Sequence, residues 1–376
     1  MNGANISFLE TVFTFCIALF LAICFTPIAM KMAQRLHIMD EPNARKTHKV
    51  AVPYLGGVAI YFAFLVACSL FVALSKEMIG ILIGGTVMLV VGAIDDKMDI
   101  SAKVRLAIQI ACAYLAVRCG IIIQGIGNPI TGEYISLGFL SLPLSMLWIV
   151  TVTNVMNFID GLDGLSSGTA AIASLTLMVV AWQMDLFEVV ILAAALAGAC
   201  IGFLRYNFHP AKIFMGDAGA LFIGFVLACL SIRGPMKGAT FATMLVPMLA
   251  LGLPLFDTMI VFFKRIKAGN SPMHADRRHI HHILYDNGLT QKQTVLWLYA
   301  ISICLGLSAI EVTSVHGRLI SFLVGLIGVI LFISARSLNK WEADVNTKGY
   351  GRRFVDELQE ELKKRENKET QEQEDK

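Results

Sequence analysis

Four stretches of this chain gather acids, amides, histidines and cations at spacings that suit phosphate and metal chemistry. Asp95-Asp96-Lys97-Met98-Asp99 sets two adjacent carboxylates beside a third, one helical turn on. Like charges that close call for a hard divalent cation. Oxygen ligands, few and open to phosphate, suit magnesium (or manganese) better than calcium. A helix end decorated with solvated acids is the plainer reading of this cluster. In Asn154-Val-Met-Asn157-Phe-Ile-Asp160-Gly-Leu-Asp163-Gly the first three polar residues recur every three positions. They therefore share a helix face that drifts slowly round the axis. Gly161 and Gly164 break that helix and let Asp163 turn toward a ligand. Capping accounts for one such residue, not for four.

The third stretch runs Asn207-Phe-His-Pro-Ala-Lys212-Ile-Phe214-Met-Gly-Asp217. Asp217 is either a helix N-cap or a metal ligand at a helix N-terminus that faces phosphate. Phe214 either stacks a nucleobase or packs into the membrane. The fourth carries His274, Arg277, Arg278, His279, His281 and His282. No cysteine lies near and the spacing fits no zinc site. Guanidinium and imidazole groups beside an acidic metal site read as phosphate ligands, the alternative being a merely cationic loop. Asp257 lies within an apolar run close to Gly252 and Pro254. Its expected role is structural, satisfying amides freed by a helix break there.

The elements that must position these groups are membrane helices. Of 376 residues, 56% are hydrophobic and 16% charged, with a mean hydropathy of +0.68. Soluble domains run nearer a quarter charged, so lipid is the bulk solvent. The formal charge of +3 is too small to imply nucleic acid. Apolar runs at 8–32, 54–74, 78–94, 103–122, 139–157, 166–183, 187–204, 218–232, 239–263, 293–311 and 318–336 predict an all-α polytopic protein of about eleven transmembrane helices. The run at 218–232 is the shortest. With the N-terminus outside and the C-terminus cytoplasmic, the inner segments hold 25 of the 31 Lys and Arg, as the positive-inside rule requires. All four polar stretches then fall on the cytoplasmic side.

Residues 121–138, with alternating side chains around Gly127-Asn128-Pro129, predict a short outer β-hairpin. Residues 1–336 form the transmembrane catalytic domain, and 337–376 a charged cytoplasmic tail, partly helical or disordered. The eight cysteines lie in or beside apolar runs without CxxC spacing and read as small buried hydrophobes.

Taken together, Asp95-Asp96-x-x-Asp99, Asn154-x-x-Asn157-x-x-Asp160-Gly-x-Asp163-Gly, Pro210-Ala-Lys-Ile-Phe-Met-Gly-Asp217 and His279-x-His281-His282 resemble the polyprenyl-phosphate N-acetylhexosamine-1-phosphate transferases. Pro42-Asn43-x-Arg45-Lys46-x-His48 and Gly56-Gly57 look like that family's first inner loop. The resemblance implies a magnesium-dependent enzyme of the cell membrane. It would move N-acetylhexosamine 1-phosphate, GlcNAc-1-phosphate foremost, from a UDP-sugar to undecaprenyl phosphate, opening a surface polysaccharide pathway such as teichoic acid. Asp217 and Asn157 would hold the metal, with Asp95 and Asp96 as catalytic acids beside it. Asp160, Asp163, Asn207 and Phe214 would meet the nucleotide. Lys103, Arg277, Arg278, His279, His281 and His282 would contact phosphate and sugar, and Asp99, Asn154, Lys46 and His48 are further candidates. Ile283 stands where the family often has a basic residue, which leaves the sugar contacts open. The sequence is compatible with a homodimer. A cation- or proton-coupled transporter is the competing class, and it would need polar groups through the membrane midplane.

Overall fold

A computed structural model describes residues 2–40, 51–128, 133–234, 236, 241–267, 280, 284 and 289–312. Lys46, His48, the histidine stretch apart from Ile280, the run at 318–336 and the tail lie outside the described residues. Among the described residues there are eleven helices, in chain order α1 (Asn2–Arg35), α2 (Gly56–Phe71), α3 (Lys76–Met98), α4 (Ala102–Arg118), α5 (Ser141–Phe158), α6 (Leu165–Gln183), α7 (Phe187–Asn207), α8 (Gly216–Arg233), α9 (Phe241–Ala250), α10 (Gly252–Lys267) and α11 (Gln291–Val312). Seven of the described helices are long and apolar enough to cross a membrane: α1, α3, α5 with its preceding turn, α6, α7, α8 and α11. This is a multi-pass membrane protein.

The helix count and the span count differ for physical reasons. The run at 54–74 yields a 16-residue α2, because Val72 turns extended at its C-cap. The run at 239–263 is two helices, α9 and α10, separated at Leu251. Pro247 inside α9 and Gly252 and Pro254 at the start of α10 explain the interruption. The short run at 218–232 became the most enclosed span, with 89% of its apolar window buried. A helix at the centre of a bundle is surrounded by protein and has no need of a long lipid-matching stretch.

That central helix, α8, packs against α2, α3 and α5, while α1 packs on α2 and α7, and α6 on α7 and α11. Lipid-facing associations depend on close backbone approach because hydrocarbon gives helices no hydrophobic reason to associate. Gly92 of α3 shows how close that approach is: a Cβ there would collide with the backbone of Asp217 and Ala218. Buried hydroxyls of Thr26, Thr153, Ser145 and Ser174 return to the carbonyl four residues earlier, at 2.6–2.8 Å, so few polar groups meet lipid unpaired. Large apolar side chains such as Phe13, Phe20, Leu147 and Phe263 remain exposed on the outer surface of the bundle, as a lipid-solvated surface requires. All eight cysteines are free.

Two small antiparallel ribbons complete the fold. Strands β3 (Gly125–Gly127) and β4 (Tyr134–Ser136) pair within the segment expected to form a hairpin. Strands β1 (Met39–Asp40) and β2 (Val52–Pro53) pair just before α2. β2 then stitches the chain to the segment leading into α8. Phe214 N donates to Pro53 O at 2.8 Å, Gly56 N to Phe214 O at 3.0 Å, and Gly57 N to Met215 O at 2.9 Å. These bonds set where α8 begins, and so where Asp217 stands.

Candidate active site

The C-terminal ends of α3 and α5, the first turns of α4 and the N-terminus of α8 meet at one end of the bundle. At Gly216 the backbone takes φ +71, and a Cβ would run into the Asp96 carboxylate and the Tyr54 carbonyl. Only glycine permits that turn. It delivers the exposed amides of the α8 N-terminus directly to Asp96. Asp217 N donates to Asp96 Oδ1 at 2.8 Å and Ala218 N to Asp96 Oδ2 at 3.2 Å. Asp96 therefore caps α8 from a neighbouring helix, where a carboxylate is favoured by the unpaired amides and the helix dipole. Asp217, read from sequence as either a cap or a ligand, is not the cap; its side chain is free for other partners.

Those partners come from three helices. Asn157 Nδ2 of α5 donates to Asp217 Oδ1 at 2.7 Å. Arg105 of α4 donates through Nη1 to Asp217 Oδ2 at 3.0 Å, and the same nitrogen bonds Asp95 Oδ2 of α3. Asp95 is buried, and its other oxygen accepts from Ile100 N at 2.7 Å. Asp95, Asn157 and Asp217, which sequence reasoning requires to gather, are within one hydrogen-bonded group.

The remaining candidates divide by position. Asp160 is half-buried just beyond α5 and takes no hydrogen bond from a described residue. Burial pushes its carboxyl from 3.8 up to about 7, with the charges of Asp217 and Asp163 adding to the effect. Asp163 accepts at one oxygen from Ala211 N at 3.1 Å and lies 2.7 Å from His209 Nδ1, tethering the 208–212 turn. Asn207 is buried with its amide turned inward. Its oxygen accepts from Gly164 N at 3.1 Å and Ser167 Oγ at 2.9 Å, and its nitrogen donates to Ile213 O at 2.9 Å. In this geometry it ties the aspartate turn to the start of α6 and to the 213 segment. Phe214 packs at 5.7 Å against Tyr54, with tilted rings. Asn154 exchanges amide bonds with Gln109 of α4 at 2.6 and 3.2 Å, a link between helices. Asp99 is an exposed C-cap with φ +49, outside the group. Lys103 is exposed and makes no ion pair among the described residues.

Four contributors were not singled out from sequence. Arg105 is the cation that reaches the acids. Lys103 and Arg105 stand two residues apart, roughly 200° round a helix, so only one can face inward; composition does not say which. Tyr54 lies in the field of four acids. Its phenol is pushed well above its ordinary range, first by burial, then by Asp40, Asp96, Asp160 and Asp217. Gln109 is buried opposite Asn154. Tyr299 of α11 donates its hydroxyl to Gly164 O and so clamps the aspartate turn from across the bundle; Gly164 is itself at φ +79. Asp257 is buried in α10 and does satisfy an amide. One donor is Ile280 N at 2.7 Å, which lies between His279 and His281 in the chain.

Among the described residues, no three His, Cys, Asp or Glu side chains converge into a self-sufficient metal cage. The donor set is oxygen-rich and open: the Asp217 carboxylate is about one-third exposed, and no described residue donates to Asp160. Magnesium is commonly held by one or two carboxylates with substrate phosphates and water completing its shell. The residues present fit that pattern.

The sequence profile described as glycosyl transferase family 4 matches residues 78–235, the segment carrying α3 to α8. A probable undecaprenyl-phosphate N-acetylglucosaminyl 1-phosphate transferase of Bacillus subtilis is 36% identical over 331 residues, covering 87% of this chain and 92% of that one. The chain belongs to glycosyl transferase family 4. Relatives of lower identity include a decaprenyl-phosphate N-acetylglucosaminephosphotransferase of Mycobacterium tuberculosis, 29% identical over 73% of this chain and 75% of its own. An undecaprenyl-phosphate alpha-N-acetylglucosaminyl 1-phosphate transferase of Escherichia coli is 26% identical over 76% of this chain and 79% of its own. Family 4 membership removes the transporter alternative.

Proposed function

We propose that this chain transfers N-acetylglucosamine 1-phosphate from UDP-N-acetylglucosamine to undecaprenyl phosphate, releasing UMP at the cytoplasmic face of the cell membrane. The observation that carries it is the junction of Asp95, Asn157, Asp217 and Arg105 at one end of a membrane bundle, in a chain whose relatives are named as undecaprenyl-phosphate N-acetylglucosaminyl 1-phosphate transferases.

The reaction joins two anions. An oxygen of the lipid phosphate attacks the β-phosphorus of the UDP-sugar; the bond from that phosphorus to the bridging oxygen breaks, and the electrons leave with UMP. The barrier is mostly repulsion and leaving-group charge, which fixed positive groups and dipoles lower. Asp217 and Asn157 would hold magnesium, and the metal would supply charge neutralisation on the pyrophosphate. Asp163 and the Tyr54–Phe214 pair are assigned to the nucleotide side, with Asn207 and Tyr299 shaping the turn that carries Asp160 and Asp163. The histidine stretch, Arg277 and Arg278 are assigned to phosphate and sugar.

Direct displacement is favoured over an aspartyl-phosphate intermediate. Both oxygens of Asp95 and both of Asp96 accept hydrogen bonds from the chain, which lowers the nucleophilicity of each carboxylate. The lipid phosphate needs little help from a base, since its second pKa lies near 6. An outer N-terminus, which the positive-inside rule favours, would put this end of the bundle in the cytoplasm. Teichoic acid synthesis is the pathway this reading favours.

The test is release of UMP by the purified protein from UDP-GlcNAc and undecaprenyl phosphate with magnesium, repeated in EDTA and with other UDP-hexosamines. Metal-dependent release with UDP-GlcNAc alone fits the proposal. Release without lipid phosphate, or none with any donor, refutes it.

A further inference from the structure

A single nitrogen, Nη1 of Arg105, stands between two carboxylates from different helices: Asp95 of α3, and Asp217 of α8 at 3.0 Å. Neither acid would be tolerable at the edge of hydrocarbon without a positive partner or water, and the guanidinium is always charged. The lone pair that Asp217 Oδ2 gives to Arg105 is one that a divalent cation on Asp217 would compete for. The three side chains are unequal in their freedom. Asp95 is 6% exposed and doubly held, by Arg105 and by Ile100 N. Arg105 is 22% exposed and sits on a long flexible stem, and Asp217 is 33% exposed.

We propose that Arg105 is a built-in stand-in for the divalent cation. It holds the ends of α3 and α8 together while the site is metal-free, and gives up Asp217, keeping Asp95, when the metal enters. The inference rests on the magnesium reading above and assigns Arg105 as a positioning residue that competes with the metal. The contact carries a cost as well as a benefit: it protects the metal-free fold and weakens metal binding.

The experiment tracks unfolding of the full chain in detergent by tryptophan fluorescence, first in EDTA and then against a magnesium chloride titration, for the unaltered protein, Arg105→Gln and Arg105→Lys. Arg105→Gln should melt lower in EDTA. Its magnesium midpoint should fall on the order of tenfold, the value of one charge-assisted hydrogen bond. Arg105→Lys keeps a point charge without the planar fork and should lie between, and it remains readable if the glutamine variant fails to fold without metal. A midpoint unchanged or raised in both variants, with the unaltered protein responding to magnesium, overturns this inference alone. No response in any of the three overturns the magnesium reading and this one with it.

Discussion

Asp96 takes the two amides that open α8 while the Asp217 side chain turns to Asn157 and Arg105, so substitutions at the two acids should behave differently. Asp96 caps α8 through both oxygens. Asp96→Asn retains one acceptor and sets an NH₂ against the other amide. It should lower stability by about 1 kcal/mol, read as a lower melting temperature, along with any loss of rate. Asp217→Asn gives up its ion pair with Arg105 but also removes a like charge from the acid cluster, so it should lose less stability than Asp96→Asn while turnover falls about a hundredfold or more. Equal loss of stability in the two would contradict the separation of cap from ligand. Asp160 adds a pH dependence. Its carboxyl is raised from 3.8 to about 7, so its stabilising contribution is complete below the ordinary carboxyl range and is lost as the pH climbs through 7. In EDTA the melting temperature should decline from about pH 4 to about pH 7. Asp160→Asn has no proton to lose and should make that decline shallower.

Helices here do their work by meeting closely at one end. A methyl group on Gly92 would strike the backbone of Asp217 and Ala218, so Gly92→Ala forces α3 away from α8. Overpacking of this kind costs about 1–3 kcal/mol, and kcat should fall because Asp217 moves with the backbone. α11 contributes from the far side of the aspartate turn. Tyr299→Phe deletes the hydroxyl that binds Gly164 O, a loss of about 1 kcal/mol. It should raise KM for the UDP-sugar several-fold with a smaller change in kcat, measured in steady state. A change confined to the lipid substrate would place Tyr299 elsewhere in the mechanism. The choice of Arg105 over Lys103 belongs to this scale as well. Both are cations near the start of α4, and only the rotation of α4 against α3 and α8 turned one inward and left the other exposed.

The bundle has two chemically different ends. One holds the acid group; at the other, Arg233 of α8 binds Glu188 of α7 through both oxygens at 2.7 and 2.8 Å, with Ser75 alongside. The proposed topology makes the first end cytoplasmic and the second external. In a background lacking the native cysteines, Lys212→Cys should react with an impermeant maleimide only in inverted vesicles, and Phe139→Cys only in intact cells. The reverse pattern would invert the orientation and remove the UDP-sugar from reach of the site.

Composition and spacing, both properties of the sequence by itself, determined the solvent, the helices and the chemistry of the site. Lipid solvation is written in the 56% hydrophobic content, helices in the long apolar runs, and the acid group in motifs whose residue types have few other uses. These are local properties, carried by each segment whatever its neighbours. Tertiary structure decided which groups face each other. It made Asp96 a cap and left Asp217 open, turned Asn207 and Asn154 to internal ties, split the 239–263 run in two and brought Arg105 between two acids. Each of these depends on the rotation and separation of helices distant in the chain, set by contacts such as that of Gly92 against α8, and no single segment encodes them.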